Sequence, residues 1–121
     1  MADVGIYTKN ADIVVRAGVN ANATAITLAE TDKYVLDVEA YINTVTNFNW
    51  SDWYVGTPNA DFSGILKEAG GCLCAIYVIN YDIDAIGRST ATLMINMLYD
   101  RATKAIAQLT EADKRGLVQN G

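Results

Sequence analysis

Two long stretches of this 121-residue chain place apolar side chains at helical spacing, and that pattern constrains the fold more than any other feature. Between residues 61 and 81, Phe62, Ile65, Leu66, Ala69, Leu73, Ile76, Tyr77 and Asn80 fall on one face at intervals of three and four. Between 90 and 109, Leu93, Met94, Met97, Leu98, Ala105, Ile106 and Leu109 do the same. Such stripes mark helices that bury one side. A third pattern starts near Thr27 or Thr31. Thr27-Leu28-Ala29-Glu30 has the form of a capping box and Thr31-Asp32 that of an ordinary cap, so both starts stay open. Its apolar face runs Tyr34, Val35, Val38, Tyr41, Ile42, Val45, with Asp37 and Glu39 off that face, and it ends near Asn47.

A helix of about 20 residues is roughly 30 Å long, and three such rods with short joints make an up-down bundle. The expected fold is therefore all-α: a small antiparallel bundle of three long helices, a short N-terminal helix and extended termini. The short helix covers residues 11–17, capped by Asn10 and stopped by Gly18. Gly70-Gly71 is anomalous inside a helix, where each glycine costs about 1 kcal/mol against alanine. Either another backbone comes close there or the helix bends.

Hydrophobic residues make up 51% and charged residues 19%, a globular balance for one domain. That domain is expected over residues 1–109, followed by a polar tail, 110–121, with one apolar pair, Leu117 and Val118. The tail has too little apolar surface to pack alone, so it is expected to be mobile in a free subunit. Net charge is −5 and the nine basic residues are dispersed, whereas phosphate binding needs them clustered.

Nothing in the chain points to a reaction. It has no histidine, so the usual Cys/His zinc set falls short of four ligands and no histidine base exists. Cys72 and Cys74, two apart on a helix, point to nearly opposite sides and read as small apolar residues. Asp82-Ile83-Asp84 lacks the further ligands of a calcium loop and reads as a solvated turn. Gly70-Gly71 lacks the lysine and the strand of a phosphate loop. The expectation is no catalytic residue, no cofactor and no metal. The start of the chain is not a signal peptide, and the apolar run 72–79 is far too short to span a membrane. A soluble protein made in a cytoplasm is expected, and the glycosylation patterns at Asn22 and Asn49 carry no meaning there.

Residues 48–60 gather Phe48, Trp50, Trp53 and Tyr54 with turn formers. A tryptophan can plug the end of a bundle. Exposed, the same cluster would be an interface hot spot. Trp50, Trp53, Tyr54, Leu117 and Val118 are thus the candidate interface, with core packing the favoured reading of the aromatics. Tyr34, Tyr41, Tyr77 and Tyr81 lie on or beside the apolar faces and suit surfaces buried again on assembly.

The wording of several segments is also familiar: Tyr7-Thr8-Lys9-Asn10-Ala11-Asp12-Ile13, Val38-Glu39-Ala40 with Ile42-Asn43, Asn49-Trp50-Ser51-Asp52, Asn59-Ala60-Asp61, and Ala75 followed by Tyr77-Val78-Ile79-Asn80-Tyr81-Asp82. Across most of residues 7–109 the chain resembles the head–tail connector, or adaptor, proteins of tailed bacteriophages. It departs from that wording at 53–58, at Gly70-Gly71, and at 85–89 with the tail after Leu109. The resemblance implies a helical adaptor in a ring, typically of twelve copies, beneath the portal protein at the capsid vertex. Such a ring extends the DNA channel, lets DNA pass without specific binding and docks tail or neck proteins. It implies a virion location and no catalytic residues. Two other roles suit the same helices: a head-completion protein bound to the capsid shell, and a non-virion protein that binds a host partner.

Overall fold

The computed structural model describes residues 4–18, 24–56, 60–81, 87–111, 115–116 and 118–119, without the side chains of 60–62. Five helices and no strand occur among them: α1 (Asn10–Ala17), α2 (Leu28–Thr46), α3 (Trp50–Val55), α4 (Ala60–Tyr81) and α5 (Arg88–Thr110). The described residues form an all-α fold, as the periodicity requires. None of the described helices is long and apolar enough to cross a membrane. The Asp82-Ile83-Asp84 turn lies outside the described residues.

Helix ends follow local chemistry. Lys9, not Asn10, is the N-cap of α1, and its N–H donates to Asp12 Oδ2 at 3.0 Å. Asn10 instead reaches across to α2, donating to Ile26 O at 2.8 Å and Thr31 Oγ1 at 3.0 Å. Gly18 ends α1 at φ 88°, a conformation that favours glycine. Thr27 is the N-cap of α2, but its hydroxyl donates to Thr24 O at 2.8 Å, so no capping box closes. Asn47, left-handed at φ 58°, ends that helix at the expected place.

Two of the expected apolar faces need correction. α4 packs against α1, α2 and α5 at once. Leu66, Ala69, Cys72, Cys74, Ala75, Val78 and Ile79 are buried around most of its circumference, while Tyr77 and Asn80, assigned inward, are exposed. A helix apolar all round is a central helix, and a single stripe misdescribes it. On α5 the buried line is Ala91, Leu98, Ala102, Ala105 and Leu109, and Leu93 and Met97 face outward. Small alanines on that line let the two helix backbones approach closely.

The glycine pair marks that close packing. A Cβ on Gly70 would overlap the Thr8 hydroxyl, and one on Gly71 would sit 2.8 Å from Arg16 Cδ. The N-terminal segment and α1 press onto α4 here, and only the absence of side chains on α4 admits them.

Candidate interaction surface

Polar side chains spaced four and three apart on α2 organise one end of the molecule. Glu39, expected off the buried apolar face of its helix, is only 2% exposed. The reason is a debt of the backbone: the segment before α1 has N–H groups that no helix or strand satisfies. Oε2 of Glu39 accepts from the N–H of Ile6, Tyr7 and Thr8, each at 2.9 Å, and Oε1 takes a second bond from Ile6 at 3.1 Å. Next, Asn43 Oδ1 accepts from the Tyr7 hydroxyl at 3.3 Å and the Trp50 N–H at 3.2 Å, while its amide donates to Ser51 Oγ at 3.0 Å. Finally Thr46 Oγ1 accepts from Trp50 Nε1 at 2.9 Å. Burial, with Glu39 adding to it, pushes the Tyr7 phenol far above its ordinary range, so it stays a neutral donor.

The aromatic residues therefore belong largely to the chain's own packing. Trp50 is fully buried, edge-on to Phe48 at 4.6 Å and Trp53 at 5.1 Å, so it is removed from the candidate interface. Trp53 and Tyr54 are partly buried against the core. Asn49 caps α3, accepting from Asp52 N–H at 3.1 Å. The tail also needs correction. Val118 is buried, Arg115 Nη1 donates to Thr46 O at 2.7 Å, and Trp53 Nε1 donates to Gln119 O at 3.2 Å. A carbonyl in the last turn of α2 has no helical partner and attracts the guanidinium, so this part of the tail folds onto its own subunit. Leu117 lies outside the described residues.

On the other side of α2 the situation inverts. Asp37, Val38, Tyr41, Leu73, Tyr77 and Tyr99 line a groove of about 230 Å³ between α2, α4 and α5. Tyr41, Tyr77 and Tyr99 are all at least half exposed, and Tyr99 reaches 61%. Tyr34 stacks on Tyr77 with ring centres 5.1 Å apart, and Tyr81 is also exposed. Tyr99 escaped the sequence reading because it lies off the α5 stripe. An aromatic on the polar side of an amphipathic pattern was the available signal.

A third feature is an ion cluster between α1, α4 and α5. Glu68 takes two bonds from Arg101, at 2.8 and 2.7 Å, and one from Arg16 at 3.1 Å. The Arg101 bonds, aided by Arg16, outweigh partial burial and hold the Glu68 carboxyl below its usual range. Cys72 and Cys74 are buried free thiols, and burial pushes both up. No cluster of metal-ligating side chains occurs among the described residues. No protein-family model, characterised protein or solved structure matches the chain.

Proposed function

We propose that this chain is a head–tail adaptor of a tailed bacteriophage. Copies close into a ring, of twelve in this reading, beneath the portal protein at the capsid vertex. The ring extends the DNA channel and offers a platform to tail or neck proteins. Its work is contact: it catalyses nothing and holds no cofactor.

The observation that carries the reading is the tyrosine-lined groove, an apolar surface that the subunit leaves uncovered. Contiguous exposed apolar surface marks interaction sites. The resemblance to adaptor sequences supports the kind of partner. Helix pairing supports the expected bundle: Tyr34 meets Tyr77 while Tyr41 shares a groove with Leu73, an opposite order along α2 and α4 that suits antiparallel rods. The net charge of −5 suits a channel wall that repels DNA.

Quantitative mass spectrometry of purified virions tests this directly. About one ring per particle is expected. Dozens to hundreds of copies would assign the protein to the shell instead, and its absence from virions would sink the adaptor reading. Electron microscopy of the chain co-expressed with its portal should place the ring beneath the portal.

A further inference from the structure

The ring reading leaves open which surfaces join neighbouring copies, and the inference here rests on that reading. α5 exposes apolar side chains on two flanks. Tyr99 lines the groove. Leu93, 71% exposed, and Met97 lie one turn apart on another line. Met97 and Tyr99 are two residues apart, hence about 200° apart around the helix. One molecule thus carries a concave apolar surface and, across the same helix, a convex one.

Charge separates the two flanks further. The residues lining the groove include one carboxylate, Asp37, and no cation. The convex flank continues two turns beyond Met97 to Lys104, which pairs with Asp100 at 3.0 Å with both side chains largely exposed, a weak contact. Behind it sit Arg16, Glu68 and Arg101. This flank therefore carries cations, Lys104 outermost, where the lining of the groove has a carboxylate and none.

We infer that the groove of one copy receives the flank bearing Leu93, Met97 and Lys104 from a second copy, with Lys104 facing Asp37. Groove-to-groove pairing would bring Asp37 towards its own twin, and like charges across an interface are costly. A contact between two different surfaces is heterologous, so each copy offers one free groove and one free flank. Copies therefore add head to tail and close into a ring when the rotation between neighbours allows.

Two exposed substitutions separate the surfaces: Tyr99→Glu spoils the groove and Met97→Glu spoils the flank. Sedimentation velocity from micromolar to millimolar concentration should show the wild type associating and each variant monomeric. An equal mixture of the two variants should give a species of two copies and nothing larger, since one intact groove meets one intact flank. As a second route, Asp37→Lys or Lys104→Glu alone should weaken association about tenfold, and the double variant should recover it. A wild type that stays monomeric throughout overturns the inference. So does a mixture that never pairs, or Met97→Glu associating like the wild type, which would mean groove-to-groove contact. The outcome is distinct from that of virion copy number: head-to-tail pairing by a protein absent from particles would leave this interface standing and remove the adaptor role.

Discussion

One side of α2 buries Glu39 and Thr46, with Asn43 between them. The other exposes Tyr41 and Val45. Hydrophobicity alone would have reversed the two. The polar residues go inside because the N-terminal segment and α3 bring backbone N–H groups and an indole that need acceptors, and α2 supplies them. The tyrosines stay outside because the subunit has nothing left to lay over them. An inward polar row is thus a debt settled within the chain, while an outward apolar row is one left for another molecule.

The largest expected effect lies on the polar side. Glu39→Ala removes the acceptor of three consecutive N–H groups, each costing roughly 1–3 kcal/mol when left buried and unmade, so about 3 kcal/mol or more is lost. Chemical denaturation measures it. A loss near zero would mean that the N-terminal segment is not held by this carboxylate. Deleting residues 115–121 removes the Arg115 and Trp53 bonds and the buried Val118, for a loss of about 2 kcal/mol. An unchanged melting curve would return the tail to a mobile role.

Gly70→Ala tests the bed on which the same segment lies. Overpacking against Thr8 should cost roughly 1–3 kcal/mol, more than the helix propensity gained. With Thr8→Ala present the penalty should shrink, and strict additivity in that double-mutant cycle would contradict the contact. Glu68 sits in the ion cluster, outside both sides, and gives a pH signature. Its folded carboxyl titrates below its unfolded value, chiefly through Arg101. The stabilisation is therefore present above the unfolded value and disappears as pH falls through the folded one. The stability gap between wild type and Glu68→Gln should be small, open at neutral pH and close in acid. A gap that widens in acid would contradict the geometry. Smallest of all, Tyr99→Ser on the apolar side should move subunit stability by no more than about 0.5 kcal/mol. A larger loss by thermal melting would make Tyr99 part of the core and erase the contrast.

Much of the fold was legible beforehand. The three long helical stretches follow from spacing and the short first one from its flanking cap and stop residues, and Gly18 and Asn47 end helices as read, although Lys9 and not Asn10 is the cap of the first. The sides of α4 were not legible, because a helix enclosed by three neighbours has no single apolar stripe to detect. α3 was hidden among turn formers, although Asn49 with Asp52 three residues later is a capping pattern. Glu39 was misplaced because its partners lie more than thirty residues away in sequence, where periodicity carries no information. The tail was misread for the same reason: Arg115 and Trp53 find partners 69 and 66 residues distant. On the candidate surface, Tyr41 and Tyr77 were in view, whereas Trp50 was an inward plug and Tyr99 went unnoticed.

The chain has two tryptophans, Trp50 and Trp53, and both sit in the one corner where α3 meets the tail. Its near-ultraviolet emission is therefore a local instrument. Excitation at the long-wavelength edge of the indole band should report on release of the tail through Trp53, bonded to Gln119, against the constant contribution of Trp50, sealed and bonded to Thr46. Closure of the tyrosine groove, by contrast, should leave tryptophan emission unmoved and appear only in the tyrosine band. A single label-free sample can thus distinguish a subunit that loosens its tail from one that gains a neighbour.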